Sequence, residues 1–212
     1  MGQDLKSQTR RTYDTVAASY ARMVPDTLYE APLDLAMIDY FVAQLSTNAS
    51  ILDAGCGAGR MLAHLTALSP SLRLQGVDLS PAMVAQARTT HPGLKIVVGE
   101  LADLDYPAAE FDGVLAWYSV IHTPPHEIEA VLSELRRVLR PGGVLLAGFQ
   151  SGTGERSSTR AYGHEVDLRA FLHRVEDVAG AAEALGFRIV ARLERAPRES
   201  ERHPQGFVLA ER

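Results

Sequence analysis

The chain has 212 residues, 46% of them hydrophobic, which is enough for one domain with a full core and at most a small appendage. Its formal net charge of -5 excludes a general nucleic-acid binder, which carries a basic face. A single cysteine, Cys56, excludes an intramolecular disulfide and suits a reducing, cytoplasmic compartment. Met1–Lys6 lacks the apolar run of a secretory leader. No stretch approaches the ~20 apolar residues of a membrane span.

Residues 7–23 read as a polar, weakly amphipathic helix. Tyr13, Val16 or Ala17, and Tyr20 lie three or four apart and share one face. Such a helix either docks two tyrosines on the body or closes over a site as a lid. Residues 31–46 predict a second helix, with Pro32 in its first turn and Ile38, Phe41, Val42 and Leu45 on one face.

The next stretch, Ser50 to Arg60, organises the rest. Ile51-Leu52-Asp53 is a short apolar strand ending on an acid, and Gly55, Gly57 and Gly59 follow at alternate positions. A helical pattern opens at Met61 and ends near Ser69-Pro70. Strand, glycine turn and helix N-terminus together favour an adenosine-type ligand. In the dinucleotide fingerprint the third glycine falls three residues after the second. Arg60 occupies that position here, and Asp53 would repel an anionic pyrophosphate while welcoming an ammonium or sulfonium. Cys56 reads as a small packing residue of the loop.

Leu72–Asp78 predicts the second strand. Asp78 lies nineteen residues beyond Gly59, where an acid accepts the hydroxyls of an adenosine ribose. Ser80 and Pro81 cap and start a helix over 81–90. Leu94–Val98 is the third strand, running into Gly99-Glu100-Leu101, and Phe111–Tyr118 is the fourth. Thr123 is an N-cap for a helix with an apolar stripe from Ile128 to Leu139. Arg136, Arg137 and Arg140 read as its solvated end, and Pro141-Gly142-Gly143 stops it. Val144–Phe149 is the fifth strand. From Gln150 to Val166 the composition predicts a polar inserted loop, and Val166–His173 a short strand or turn. A helix over 175–185 and strands over 187–193 and 206–210 close the chain, with a solvated loop between the last two.

The run from Ile51 to Gly59 resembles motif I of the class I S-adenosylmethionine (SAM) methyltransferases. The Tyr13-Asp14-x-x-Ala17-x-x-Tyr20 pattern resembles the lid helix of their small-molecule members, and Leu139-Arg140-Pro141-Gly142-Gly143 is also similar. The alternation of strands and helices gives an α/β, Rossmann-like, mostly parallel sheet with helices on both faces. The resemblance adds the order 3-2-1-4-5-7-6 with the last strand antiparallel, in a single domain over 1–212. It implies SAM as cofactor. The set expected around it is Tyr13, Tyr20, Asp53, Gly55, Gly57, Gly59, Arg60, Asp78, Leu79, Met83, Glu100, Leu101, Trp117 and Tyr118, with no metal. Glu100 and Leu101 stand where the family places its adenine contact, usually in a Gly-Asp-Ala turn.

His122 is the candidate general base. It follows the fourth strand at the ligand-binding edge of the sheet, and a nearby helix N-terminus would keep it neutral. The implied reaction is methyl transfer to a small-molecule acceptor, with no nucleic acid and no membrane as partner. Two alternatives stay open: a SAM-binding protein that transfers no methyl, such as a regulator or cyclase, and an NAD(P) oxidoreductase. The oligomeric state is not legible.

Overall fold

The computed structural model describes residues 2–212, with side chains from Asp4 onward; Met1, where the reading against a secretory leader begins, lies outside them. The elements run α1 (Gly2–Met23), α2 (Pro32–Ala43), β1 (Ser50–Ala54), α3 (Arg60–Leu68), β2 (Arg73–Asp78), α4 (Pro81–Thr90), β3 (Lys95–Val98) and β4 (Phe111–Trp117). After two short 3-10 turns come α5 (Ile128–Val138), β5 (Leu139–Gln150), β6 (Glu155–Ala161), β7 (His164–Phe171), α6 (Val175–Ala184), β8 (Arg188–Arg195) and β9 (Gln205–Glu211).

The main sheet has seven strands in the order β3-β2-β1-β4-β5-β9-β8. The first five are parallel, and β9 runs antiparallel to both neighbours. Counting only this sheet, that is the expected 3-2-1-4-5-7-6. Period-two alternation splits its side chains between two cores. Leu52, Ala54, Val114 and Ala116 face α5 and α6, where Val131, Leu135, Val178 and Ala179 are buried. Ile51, Leu115 and Trp117 face the other way, against Ile38 and Phe41 of α2, Leu62 and Leu65 of α3, and Val84 of α4. Both faces of β1 are covered, so its five residues are all buried. The chain crosses to opposite sides of the sheet about β1, between β2 and β4. That reversal opens a crevice at the carboxyl ends of these strands.

Four expectations are corrected. The stretch from Gln150 to Val166 is not a loop: beyond the end of β5 it holds β6 and the start of β7, a two-stranded antiparallel ribbon over 155–171 separate from the main sheet. Its polar composition hides β6, whereas β7 coincides with the short strand or turn expected over Val166–His173 and packs Val166 on the patch under α1. Tyr162 and Gly163, both at positive φ, make its two-residue turn. Thr123 does not cap a helix. It follows the 3-10 turn Val120–His122, a second turn spans Pro125–Glu127, and α5 begins only at Ile128. The end of α5 is not simply solvated. Arg137 donates to Glu134 and to the Leu104 and Tyr106 carbonyls, and Arg140 pairs with Asp112 at 2.7 Å.

The connection from Glu194 to His203 is also more than a solvated loop. Arg195 is buried and donates to Asp34 of α2 and to Glu201.

Candidate functional site

A cavity of about 950 Å³ opens at the crevice. Its floor is the glycine loop. Gly55 at φ 87° and Gly57 at φ 52° occupy left-handed backbone that favours glycine. A Cβ on Gly55 would come within 2.2 Å of Ser119 Cβ, so the loop packs directly on the chain after β4. A Cβ on Gly57 would meet only the Tyr20 ring, at 3.8 Å, across the cavity. Gly59 lies off the wall as the left-handed N-cap of α3, where a Cβ would collide with His91 at 2.7 Å.

The acids differ in their surroundings. Asp78 Oδ2 accepts the Gly57 N–H at 2.8 Å and Oδ1 the Ser80 N–H at 2.9 Å, which ties β2 to the glycine loop. Burial raises its pKa, opposed by these two N–H bonds. Asp53 is not on the wall. It is buried beneath the loop, and neither carboxylate oxygen has a donor among the described residues. Burial pushes its pKa up to about 7, with nearby Arg60 pulling it down.

Sequence reasoning missed Glu30, in the polar connection before α2. It is buried, pairs with Arg60 and accepts the Trp117 indole N–H at 3.0 Å. Its Oε2 has no partner among the described residues. Arg60, the departure from the dinucleotide pattern, is thus held by an acid from a different segment.

Leu79, Met83 and Leu101 line the cavity beyond Asp78. Glu100 lines it too, but its carboxylate is engaged by Lys6 of α1 at 2.8 Å. Trp117 stacks on Phe207 with ring centroids 5.3 Å apart. Tyr118, just past the strand, takes φ 54°, a conformation costly for a residue with a Cβ and found where a site constrains the chain.

Helix α1 covers the cavity. Asp14 accepts the Ser80 hydroxyl at 2.6 Å and the Ala82 N–H at 3.2 Å, at the N-terminus of α4 where a carboxylate is favoured. Val16, Ala17 and Met83 form a buried apolar patch beneath it, distinct from both main cores, with Tyr13, Tyr20, Ala58, Ala82, Tyr162 and Val166 partly buried against it. Tyr13 and Tyr20 share a face as expected, with ring centroids 6.5 Å apart.

His122 lines the cavity but does not present a free nitrogen to it. Its Nδ1 lies 2.8 Å from the Arg169 carbonyl and its Nε2 lies 2.8 Å from the Tyr13 hydroxyl. A carbonyl only accepts, so Nδ1 carries the proton. Burial, not a helix N-terminus, lowers the His122 pKa to about 4 and keeps the ring neutral. Nε2 therefore accepts the Tyr13 O–H, and the phenol oxygen keeps its lone pairs. The same burial raises the Tyr13 pKa.

The ribbon adds residues the sequence did not single out. Arg156 pairs directly with Ala170 and Ser158 with Leu168, and all four line the cavity. Period-two spacing in 156–158 and 168–170 is the signal that could have found them. Gln150 closes the wall at the end of β5 with a buried Oε1 that has no partner among the described residues. Of the described residues, no group of three or more His, Cys, Asp or Glu could hold a metal ion, and no helix is long and apolar enough to cross a membrane.

Comparison with known proteins agrees with this geometry. Residues 51–143 match the model of a methyltransferase domain family. Over 132 residues the chain is 32% identical to a malonyl-(acyl-carrier protein) O-methyltransferase of Salmonella typhimurium, covering 61% of this chain and 51% of that protein. The chain spans about half the length of the first curated relatives it matches. Magnesium protoporphyrin IX methyltransferase of Synechocystis PCC 6803, solved with bound SAM, superposes with a TM-score of 0.72 at 18% identity, covering 98% of this chain and 97% of that one. The (4+2)-cyclase SpnF superposes with a TM-score of 0.74 at 18% identity, covering 96% and 94%. These structures share the fold.

Proposed function

We propose that this chain, which belongs to the class I SAM-dependent methyltransferases, transfers the methyl group of SAM to a small-molecule acceptor. The observation that carries the reading is the set of unpartnered carboxylate oxygens about the glycine loop: both of Asp53 and Oε2 of Glu30. Buried acceptors without donors are costly. A ligand bearing an ammonium and a sulfonium relieves that cost, and an anionic pyrophosphate adds to it. The residues present fit SAM on this ground and disfavour NAD(P).

In this reading Asp78 would hold the ribose hydroxyls with the lone pairs its two N–H bonds leave free. Leu79, Met83 and Leu101 would wall the adenine, and Glu100 would close that end through Lys6. Gly55 and Gly57 would let the ligand approach the backbone. Arg60 and Glu30 would face the methionine end, beside Trp117 and Tyr118, with Asp53 acting on it from beneath the loop through its charge. SAM supplies a methyl bonded to sulfonium, which leaves by in-line displacement. The chain's part is to hold the acceptor behind that methyl and exclude water. The single domain, the ribbon over the cavity and a cytoplasmic setting suited to free Cys56 belong to the same proposal.

Calorimetric titration with SAM and with NADH tests it: SAM should bind and NADH should not. Asp53 adds a pH dependence. Its raised pKa means the folded apo protein holds a proton that the unfolded chain has lost between about pH 4 and 7. Apo stability should therefore fall as pH rises through that window. SAM affinity should rise over it, as the acid ionises. Asp53→Asn should flatten both profiles. A wild-type SAM affinity that does not change between pH 6 and 8 would remove Asp53 from the site.

Residues 7–23 act as a lid in this proposal. Their small separate patch and polar docking contacts support opening at modest cost. Hydrogen exchange in this helix should slow when SAM or its demethylated product is added. Equal exchange with and without ligand would leave α1 as a fixed buttress.

His122 positions Tyr13: by accepting the phenol O–H at Nε2 it aims the lone pairs of the phenol oxygen at the acceptor. Glutamine can make both bonds that His122 makes, whereas alanine can make neither. His122→Gln should hold kcat within a few-fold of wild type and His122→Ala should lower it much further. If the two fall together by the 10²–10⁴-fold typical of a lost general base, His122 itself is the base.

A further inference from the structure

We propose that the methyl acceptor carries a carboxylate, and that the guanidinium of Arg156 holds it. This rests on the methyltransferase reading above and names the class of its acceptor. Arg156 is half-buried on the cavity wall, opposite Ala170 in the ribbon. Its Nε is sealed from solvent and has no acceptor among the described residues. The carboxylate next to it in sequence, Glu155, is taken by Arg169 from the facing strand. The other permanent cations of the wall, Lys6 and Arg60, are held by Glu100 and Glu30. Arg156 is the one left without a carboxylate among the described residues.

Its surroundings favour an oxyanion from outside. The nearby ionisable groups include the phenols of Tyr13 and Tyr162, the neutral ring of His122 and a second cation, Arg202. Two guanidiniums near each other disfavour each other's charge, and an oxyanion relieves that. Arginine's planar fork of N–H donors matches a carboxylate in two parallel bonds. Tyr13 lies within electrostatic reach of both Asp78 and Arg156. The acid expected at the ribose and this cation therefore act on the same phenol. A carboxylate on Arg156 would set the rest of the acceptor beside Tyr13, where the methyl is delivered.

SAM has a carboxylate of its own, so the test must separate the two sources. Small hydroxy- and amino-substituted carboxylic acids are compared with their primary amides. Thermal shift of the protein saturated with demethylated cofactor reads binding, and tritiated-methyl transfer from SAM reads turnover. Acids should raise the melting temperature and accept methyl where their amides do not. Arg156→Gln should lower kcat/KM for an acid by about 10- to 100-fold, the scale of a hydrogen bond to a charged group. Its SAM affinity should stay within about twofold of wild type, and Arg156→Lys should recover part of the loss. Amides methylated as well as acids, or acids indifferent to Arg156→Gln, would overturn the proposal. So would a variant that loses SAM affinity, since Arg156 would then hold the methionine carboxylate. A wild type that binds SAM yet neither binds nor methylates any acid overturns the proposal and leaves the methyltransferase reading standing.

Discussion

Gly57→Val should give a folded protein that no longer binds SAM, with an affinity loss of at least about 100-fold, or ~2.7 kcal/mol. Two effects combine. Gly57 sits at φ 52°, where a β-branched residue is a true outlier, so the backbone would move. That movement would break the 2.8 Å bond from the Gly57 N–H to Asp78, and with it the position of the acid expected at the ribose. The valine side chain would also enter open space: the nearest atom to a Cβ is the Tyr20 ring at 3.8 Å, on the far side of the cavity. The added methyls would thus fill the ligand's path without disturbing the core. Gly55 makes the contrast. A Cβ there strikes Ser119 at 2.2 Å, so Gly55→Val should fail by unfolding. Melting curves establish that the Gly57 variant folds, and calorimetry with SAM reads its affinity. A folded variant that binds SAM normally would remove the glycine loop from the ligand site.

What the sequence made legible follows from which physical signals are local. The parallel sheet announces itself because β1 and β4 are buried, largely apolar runs, each ending at a turn. The glycine loop is legible because backbone at positive φ leaves few choices of residue. Asp78 is legible by its distance from the loop, and Tyr13 and Tyr20 by helical spacing. The first strand of the ribbon was hidden because Glu155–Ala161 is almost all polar and carries no hydrophobic alternation, whereas the second overlaps the strand or turn expected over 166–173. Arg156 was hidden with the first. Glu30 and Asp34 were hidden for a different reason: each is a buried acid whose partner lies far along the chain, Arg60 in one case and Arg195 in the other. Ion pairing across long separations leaves no periodic trace. His122 was found, but the cause assigned to its neutrality was not. Its ring is kept uncharged by burial under Tyr13, and only the folded chain reveals that contact.

Asp34→Ala should cost about 3 kcal/mol of stability, near the lower end for breaking a buried pair. Asp34 is almost fully buried. It accepts the Ala31 N–H at 3.1 Å, which caps α2, and two N–H groups of Arg195 at the end of β8. Arg195 is in turn held by Glu201 at 2.6 and 2.8 Å. Removing Asp34 leaves the guanidinium buried with one partner in place of two, which is why the cost falls short of a fully orphaned charge. For a chain of this size about 3 kcal/mol corresponds to a fall in Tm of roughly 6–12 °C. The pair also shapes the cavity, since Asp34, Tyr118 and Glu201 all line it. Hydrogen bonds from Arg195 lower the Glu201 pKa to about 2. A depressed carboxylate adds stability that is full above its unfolded value near pH 4.5 and is lost as pH falls towards 2. Glu201→Gln should therefore lose less stability at pH 3 than at pH 7. Thermal melts of Asp34→Ala at pH 7 decide the main claim. A melting temperature within about 2 °C of wild type would mean that water reaches Arg195 and that α2 is not clamped to the sheet through this pair.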